Sequence, residues 1–508
     1  MRFNFSFLLC LICSLSLYAQ EWSIPYIKNY TPKDYNSGTD NWAIVQDIRG
    51  VLYFGNANGV LEYDGTRWRQ YANSNQSRIR SLQIDDKNRI YVGGVGDMGY
   101  LESDKKGDMQ YVSLLNLLAE KDRAFSDVWR THIINDIVYF QTFEAIYEYA
   151  EGKINIYKPE NTFHLSYIVN NELWVIDRGI GLKKIVGGKL ELLSNGDFFS
   201  DDKIYCILPL NDKYLISTFN KGIILFNPKA VSTNQLYEKF NSAAYNYLEN
   251  YGIYCSTVLN DSTYVLGTLG GGIVIIDKNG KVLNIINKLN GLQAENVYYI
   301  YKDNYSNIWL ALDNGITRIE TGSPQSMYND LSGLSGIVQS IKILDNKIYA
   351  ATTTGLFVKN TIPVNTINTK EDALLYIKQF SPVKGINTET WTLLTIKIND
   401  KDKLLVGNNT GVYIIENNEA KQIYGHNTYS LNASISNNRI YIGTANGLAI
   451  IEFQYNHCVD YGVLTGTQGT IRTLTEDKNG DIWLCVQFEG LAKVKFHTNN
   501  IQQIIKNN

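Results

Sequence analysis

The stretch that decides the fold reads NVYYIYKD at residues 296–303, then a turn at 304–307, IWLAL at 308–312 and DNGITRI at 313–319. Turn residues separate three short runs rich in aromatic and β-branched side chains, the composition that β-strands favour. The middle run is apolar at every position, so both faces of that strand must be covered although its neighbours are antiparallel. The unit therefore predicts a small antiparallel sheet that packs between similar sheets.

The same unit recurs along the chain. It is clear again at 471–494 and at 44–64. Two markers identify each copy: a large, mostly aromatic residue in the middle strand, and a glycine six to eight residues later. The marker pairs are Tyr53/Gly59, Tyr91/Gly99, Trp174/Gly181, Tyr214/Gly222, Tyr264/Gly272, Trp309/Gly315, Tyr349/Gly355, Leu405/Gly411, Tyr441/Gly447 and Trp483/Gly490, with Tyr139/Ala145 as an eleventh copy.

The spacing of these copies predicts the architecture. They lie about 40 residues apart, the length of a four-stranded β-propeller blade. We expect an all-β tandem β-propeller with about eleven blades, divided into a first propeller of about seven blades over 21–334 and a second, incomplete propeller of about four blades over 335–508. A β-sandwich also contains short strands, but it has no reason to repeat one unit so often.

Residues 1–20 resemble a signal peptide. Arg2 precedes an apolar stretch from Phe5 to Leu17, and Ala19 supplies the small residue of a cleavage site. This pattern predicts export to the periplasm or another extracytoplasmic compartment. A lipoprotein anchor at Cys10 or Cys13 is disfavoured, since neither follows a small residue. Nothing later approaches the roughly 18 apolar residues that a membrane helix requires.

Composition disfavours several classes of function. The formal charge is −3, with 47 basic and 50 acidic residues interspersed, so direct nucleic-acid binding is not expected. The five histidines are scattered and form no metal motif, and no cofactor is predicted. The cysteines beyond the leader, Cys206, Cys255, Cys458 and Cys485, are predicted to be buried free thiols, with a disulfide between the first two left open.

No catalytic residues are predicted. Gly270 to Gly272 joins two strands and lacks the helix that a phosphate loop requires, so a hairpin is the better interpretation. The carboxylate pairs Asp85-Asp86 and Asp201-Asp202 fall in turns, where capping of backbone N–H groups is expected.

Propeller topology nevertheless predicts a ligand-binding face. The inner strands begin on the face where the loops between strands two and three emerge. Aromatic rings beside amides and guanidinium groups there suit sugars and carboxylates. The alternative is that the aromatic residues fill the channel and the asparagines only form turns. The candidates are Arg78, Arg80, Trp129, Arg130, His164, Tyr254, Asn296, Tyr298, Asn314, Trp391 and Arg472.

The repeat resembles a known family. The residues Gly291-Leu292, Asn296-Val297, Asp303, Ile308-Trp309 and Asn314-Gly315-Ile316 are similar to the two-component regulator propeller repeat, and the resemblance extends over roughly residues 40–497. The opening at 24–65 is similar to the start of Bacteroidetes proteins of this layout. In that family the repeats usually form two seven-bladed periplasmic propellers. A triple-tyrosine domain, a membrane helix and a histidine kinase or LuxR-type DNA-binding domain commonly follow.

The resemblance implies a function for this chain. It implies an extracytoplasmic ligand-sensing module of a two-component or transcription-regulatory system, with a glycan fragment as ligand and a transmembrane transmitter as partner; a homodimer is left open. The segment 501–508 supplies no transmitter, so we expect a truncated or split gene product, or a sensor that works with a separate transmitter. A polysaccharide-acting propeller lyase or hydrolase and a protein-interaction scaffold are the alternatives.

Overall fold

The computed structural model describes residues 25–105, 109–321, 325, 327–359, 366–377, 379–454 and 457–496. The signal peptide predicted at 1–20 and the tail at 501–508 lie outside these residues. The chain divides into two compact units. Unit 1 holds the described residues up to 327 together with 366–377, and unit 2 holds the other described residues.

The described part of unit 1 forms seven four-stranded antiparallel sheets. In sheets 1 to 6 the strands follow one another along the chain and lie side by side in that order. Sheet 1 comprises β2 (Asn41–Gln46), β3 (Leu52–Asn56), β4 (Gly59–Tyr63) and β5 (Trp68–Tyr71). Sheet 2 comprises β6 (Ile79–Ile84), β7 (Ile90–Gly94), β8 (Met98–Ser103) and β9 (Met109–Ser113). Sheet 3 comprises β10 (Arg130–Ile134), β11 (Ile137–Gln141), β12 (Ile146–Ala150) and β13 (Lys153–Tyr157).

Three further sheets repeat this plan. Sheet 4 comprises β14 (Phe163–Val169), β15 (Glu172–Asp177), β16 (Gly181–Val186) and β17 (Lys189–Leu192). Sheet 5 comprises β18 (Ile204–Leu210), β19 (Lys213–Thr218), β20 (Ile223–Phe226) and β21 (Tyr237–Lys239). Sheet 6 comprises β22 (Ile253–Asn260), β23 (Thr263–Thr268), β24 (Ile273–Asp277) and β25 (Val282–Ile286).

Sheet 7 joins the two ends of the ring. It contains β26 (Val297–Lys302), β27 (Ile308–Leu312) and β28 (Ile316–Glu320), and its outermost strand is β1 (Tyr26–Tyr30), which pairs antiparallel with β28. The inner strands β2, β6, β10, β14, β18, β22 and β26 pack against one another in succession, and β26 packs against β2. Unit 1 is therefore a closed β-propeller whose ring is joined by the first described strand.

Unit 2 has the same local plan in four sheets of described residues. Sheet 8 comprises β29 (Val338–Leu344), β30 (Lys347–Thr352), β31 (Gly355–Lys359) and β32 (Phe380–Pro382). Sheet 9 comprises β33 (Thr390–Ile398), β34 (Lys401–Asn408), β35 (Gly411–Glu416) and β36 (Glu419–Tyr424). Sheet 10 comprises β37 (Thr428–Ala433), β38 (Arg439–Thr444), β39 (Leu448–Gln454) and β40 (His457–Val463), and sheet 11 comprises β41 (Ile471–Glu476), β42 (Ile482–Val486) and β43 (Gly490–Val494). The predicted all-β propeller class is confirmed.

Helices are short. They are α1 (Pro32–Tyr35), α2 (Thr233–Leu236), α3 (Tyr245–Tyr251) and α4 (Lys370–Ile377), and there are five 3₁₀ turns among the described residues. No described helix is long and apolar enough to cross a bilayer. The insertion that carries α4 follows β31 of unit 2 but returns to unit 1, because Ile367 and Ala373 are buried in the apolar core around α3. The units divide at 327/328, and 366–377 belongs to unit 1.

The middle strands are covered on both faces. Every residue of β3, β7 and β27 is buried, whereas outer strands such as β5 and β17 are partly exposed. This agrees with the apolar middle run of the repeat. Neighbouring sheets of a propeller bury the two faces, because each sheet packs between two others.

An aspartate caps the turn of the first hairpin in several repeats. The Asp303 carboxylate is buried and accepts hydrogen bonds from the backbone N–H groups of Tyr305 and Asn307 at 2.9 and 2.8 Å. Its second oxygen accepts from the Asn307 side chain and from Trp309 Nε1, both at 2.9 Å. Asp477 makes the corresponding contacts in sheet 11, including one with Trp483 Nε1 at 2.9 Å. Asp85 accepts from the backbone N–H groups of Lys87 and Arg89 in the same way, so the capping predicted there is confirmed.

The marker glycines allow a close approach of two strands. Gly59 has φ +132°, and a Cβ placed on it would lie 2.4 Å from the carbonyl oxygen of Tyr71 in β5. Gly411 has φ +150°, and a Cβ placed on it would lie even closer to the carbonyl oxygen of Tyr424 in β36. A side chain there would collide with backbone, which explains why this marker recurs.

Exposure in sheet 11 corrects one prediction. Cys206 and Cys255 are buried free thiols, as predicted, and Cys458 is half-buried, but Cys485 is exposed. Phe488 and Leu491 of the same sheet are 98% and 72% exposed. The prediction of burial holds for a middle strand whose sheet is covered on both faces by neighbouring sheets. No described sheet follows sheet 11, so one face of this sheet has no such neighbour among the described residues.

Candidate ligand site at the mouth of unit 1

A β-bulge recurs near the start of the inner strands. In β26, Val297 pairs with Leu312 and Tyr299 with Ala311, so Tyr298 is an extra residue between the two pairs. Among the described inner strands the register shifts at this place in ten, and β10 is the one without it. Because a bulge re-aims the extra side chain, these sheets each present one residue at the same end of the inner strands.

In unit 1 six bulge side chains and two side chains from sheet 3 form a closed circle, which we call the aromatic collar. Each member contacts the next one round the ring, and each of the seven sheets contributes at least one member. The aromatic collar consists of Trp42, Arg80, Trp129, Phe143, His164, Tyr205, Tyr254 and Tyr298.

One half of the aromatic collar is a tight stack. The rings of Trp42 and Tyr298 are nearly parallel, with centroids 3.9 Å apart. The Arg80 guanidinium lies 3.8 Å from the Trp42 ring centroid and 4.5 Å from that of Trp129. Two groups so close to Trp42 must occupy its opposite faces. Trp42 therefore has no free face for a sugar ring, and it offers its indole N–H instead.

The other half is looser. From Trp129 the contacts run through Phe143 at 5.3 Å and His164 at 6.3 Å between ring centroids. They continue to Tyr205 at 5.4 Å, Tyr254 at 6.1 Å and back to Tyr298 at 5.8 Å. The pairs from His164 to Tyr298 are tilted or edge-on. Aromatic pairs of this kind stabilise a fold by about 0.5–1.5 kcal/mol each. No pair on this side is as close as the stack of Trp42 on Tyr298.

Several polar atoms at the aromatic collar are buried and have no hydrogen-bond partner among the described residues. Leaving a buried donor unpaired costs about 1–3 kcal/mol. All but one of the atoms can donate a hydrogen bond, so together they match a ligand rich in acceptor oxygens. The atoms are Trp42 Nε1, Arg78 Nε, Arg80 Nη1, Trp129 Nε1, His164 Nδ1 and Asp313 Oδ1.

Carboxylates restrain the cationic side chains. Asp127 accepts a hydrogen bond from Arg80 Nε, and Asp40 lies 3.8 Å from Arg78. The Arg80 side chain is only 10% exposed. Pairing and stacking together hold this guanidinium in place between two indole rings, as cation–π geometry favours.

His164 is uncharged at neutral pH. Burial, reinforced by the positive charge of Lys203, lowers the pKa of its imidazole to about 4. The ordinary pKa of histidine is about 6.5. Between these values the unfolded chain binds a proton that the folded chain does not, so stability from this group is complete above about pH 6.5 and falls as the pH drops toward 4.

We therefore predict that acidification destabilises unit 1 through His164. Between pH 7 and pH 5 the wild-type protein is expected to lose on the order of 1–2 kcal/mol more unfolding free energy than His164→Gln. Urea titrations at the two pH values measure this difference. The same pH dependence in both proteins would contradict the assignment.

An axial cavity of about 490 Å³ adjoins the aromatic collar. Residues from all seven inner strands line it, and Arg80 and Tyr205 belong both to the lining and to the aromatic collar. Deeper in the channel, His132 Nε2 lies 3.0 Å from Ser166 Oγ and Cys206 Sγ lies 2.9 Å from Ser256 Oγ. The volume lies within the range of about 300–1,000 Å³ typical of small-molecule sites.

The structure brings most of the predicted unit 1 residues together. Arg80, Trp129, His164, Tyr254 and Tyr298 are in the aromatic collar. The Arg78 guanidinium lies 5.7 Å from the Trp42 ring centroid, and Arg130 lines the axial cavity. Asn296 donates a 2.6 Å hydrogen bond to Asp313. Asn314 is exposed, and its side chain makes no hydrogen bond to the described residues.

Two predicted residues belong to unit 2. Trp391 and Arg472 occupy the bulge positions of sheets 9 and 11, on either side of Tyr429 in sheet 10. The Trp391 and Tyr429 ring centroids are 4.5 Å apart, and the Arg472 guanidinium lies 4.1 Å from the Tyr429 ring centroid. They form a separate row of the same design.

Three members of the aromatic collar were not predicted: Trp42, Phe143 and Tyr205. The repeat carries a signal for two of them, because Trp42 and Tyr205 directly follow the first residue of their inner strand, as Tyr254 and Tyr298 do. Phe143 lies in the loop between β11 and β12. No feature of the repeat distinguishes it from an ordinary loop residue.

No protein-family model matches the sequence, and no curated protein matches it either. Among solved structures, the chain is similar to the extracellular domain assigned to a hybrid two component system of B. thetaiotaomicron, with a TM-score of 0.56 and 18% sequence identity over 94% of this chain and 71% of that chain. The extracellular domain assigned to a one component system of the same species has a TM-score of 0.45 and 16% identity, over 92% of this chain and 66% of that chain.

A streptogramin B lyase gives a TM-score of 0.45 and 16% identity over 59% of this chain and 99% of the lyase. The first likeness concerns the fold alone. The chain therefore shares its β-propeller fold with an extracellular domain of a Bacteroides two-component system, the class of protein that its repeat resembles.

Proposed function

We propose that this chain is an extracytoplasmic ligand-sensing module of a two-component or transcription-regulatory system, and that unit 1 binds the ligand at the aromatic collar. The observation that carries the proposal is the set of unpartnered donors at the aromatic collar, one of which, on Arg80, also lines the axial cavity. Their chemistry suits a small, oxygen-rich molecule such as a glycan fragment. The signal-peptide pattern at 1–20 supports a location outside the cytoplasm.

Binding at this place offers a route to signalling. The unpartnered atoms are buried in the structure, so a ligand reaches them only when side chains of the aromatic collar rotate. A ligand that gains these hydrogen bonds favours the rearranged conformation and shifts the population toward it. We propose that a transmembrane transmitter reads this shift, and that unit 2 forms part of a second propeller.

A panel of mono- and oligosaccharides tests the proposal when thermal unfolding and product release are followed together. A ligand at a hundredfold excess over its Kd stabilises the folded state by about 2.7 kcal/mol. We expect stabilisation by a sugar that remains chemically intact. Release of product would favour the alternative of a polysaccharide-acting lyase or hydrolase. If no small molecule of the panel stabilises the folded protein, the alternative of a protein-interaction scaffold is favoured.

A variant pair within sheet 7 locates the site. We predict that Tyr298→Ala weakens binding of the stabilising sugar at least about tenfold, because it removes the ring stacked on Trp42 and so disrupts the aromatic collar. Tyr305→Ala is the matched control, since Tyr305 is 76% exposed in the turn between β26 and β27. Isothermal titration calorimetry measures the affinity of both variants for the sugar. Equal affinities in the two variants would place the binding site elsewhere.

A further inference from the structure

The lining of the axial cavity of unit 1 has basic side chains and no acidic side chain among the described residues. The basic side chains are those of Arg80, Arg130 and Lys302. Arg80 has Asp127 as its partner, outside the lining. The remaining basic groups therefore give the channel a positive potential that low-dielectric walls concentrate.

Arg130 lacks a counter-ion among the described residues and, unlike the exposed Lys302, is half-buried. It is the first residue of β10, the inner strand without a bulge. Its guanidinium makes one hydrogen bond, to the backbone carbonyl oxygen of Trp129 at 3.2 Å, and no ion pair with any described carboxylate. A guanidinium presents five N–H donors in a planar fork, so most of its donors remain available.

The charge of Arg130 acts on several other sheets. Burial raises the pKa of Tyr254, Tyr299 and Tyr167, and the positive charge of Arg130 opposes part of each rise. Tyr254 and Tyr299 lie on sheets 6 and 7, across the channel from sheet 3, and Tyr167 lies on the neighbouring sheet 4. An unpaired guanidinium thus stands within electrostatic reach of most of the wall.

Two further groups lie at the end of the channel near the aromatic collar. His164 is 8% exposed with an unpartnered Nδ1, and Arg80 is 10% exposed with an unpartnered Nη1. Arg80 can donate to an anionic oxygen as a cation, and the uncharged His164 can donate from Nδ1 in the tautomer that carries its proton there. Hydrogen bonds from cations to carboxylates are about twice as strong as neutral ones, so an oxyanion uses this arrangement better than a neutral molecule does.

We propose that the axial cavity binds the carboxylate of an acidic small ligand, such as an acidic sugar, with Arg130 as its counter-ion. The acidic-sugar part of this inference rests on the proposed sensing function, whereas the oxyanion site rests on the cavity alone. The cavity volume of about 490 Å³ accommodates a ligand of monosaccharide to disaccharide size.

Isothermal titration of the purified protein with D-galacturonate and with D-galactose tests the inference, since the two differ in one carboxylate. We expect galacturonate to bind at least about tenfold more tightly than galactose, and the difference to shrink at high salt. Arg130→Gln is expected to abolish this preference, and Arg130→Lys to retain part of it. Arg89→Gln is the matched control, because Arg89 faces Glu102 at 3.4 Å outside the cavity lining, and it should bind like the wild-type protein.

Thermal unfolding without ligand checks that each variant is folded. Arg130→Gln removes an unpaired charge from the channel, so its Tm is expected to equal or exceed that of the wild-type protein. An equal affinity of Arg130→Gln and wild-type protein for galacturonate would overturn the inference.

Inorganic sulfate separates the two proposals. If sulfate raises the Tm through Arg130 while no sugar binds, the oxyanion site stands and the glycan ligand fails. If galactose binds as tightly as galacturonate, the sensing proposal stands and the anion site fails. If neither the sugars nor sulfate binds, both fail.

Discussion

Replacing Tyr30 by alanine is expected to lower the unfolding free energy of unit 1 by about 3–5 kcal/mol, the range for removing a buried aromatic side chain. Tyr30 lies in β1, the strand that completes sheet 7, and it is buried. Its ring stacks on Trp309 at 5.7 Å and meets Tyr63 and Trp68 edge-on at 5.5 and 5.6 Å. The substitution therefore weakens the contact that holds the ring closed.

Two companion variants sharpen this test. Tyr26→Ala changes the same strand at a half-exposed position and should cost less than about 1 kcal/mol. Tyr30→Phe keeps the ring and removes only the 3.3 Å contact between the Tyr30 and Tyr63 hydroxyls, so a small loss is expected. Urea titration measures all three. A similar loss for Tyr26→Ala and Tyr30→Ala would show that β1 does not close the propeller through Tyr30.

The second large effect is predicted at Asp303. Asp303→Ala leaves two backbone N–H groups, the Asn307 amide and Trp309 Nε1 without their acceptor. The turn can open to water and recover some of these bonds, so a net loss of about 2–4 kcal/mol is expected rather than the full sum. Amide hydrogen exchange at Tyr305 and Asn307 should accelerate together with the fall in stability.

Asp261→Ala provides the control for this position. Asp261 occupies the corresponding turn between β22 and β23, is exposed, and makes no side-chain hydrogen bond to the described residues. Its replacement should change stability by no more than about 0.5 kcal/mol. If Asp303→Ala were equally mild, the turn aspartate would be a solvated residue and not the cap of the hairpin.

The repeat was sufficient to predict the sheets, because each depends on residues that are neighbours in the chain. The copy with Ala145 in place of the marker glycine still forms a regular four-stranded sheet, sheet 3. The site was harder to predict. Tyr254 and Tyr298 stand out as aromatic residues at strand starts, whereas Phe143 reaches the aromatic collar from a loop, and Asn314 resembles a site residue yet is exposed in a turn.

The sequence by itself determined the strands and their hairpins, since turn residues and apolar patterning act over distances of about 40 residues or less. Only the tertiary structure decided that β1 completes sheet 7, that α4 packs on unit 1, and that Arg130 stands in the channel without a counter-ion. These features arise between segments far apart in the chain, such as β1 and β28, which meet only when the ring closes. No local pattern encodes that meeting.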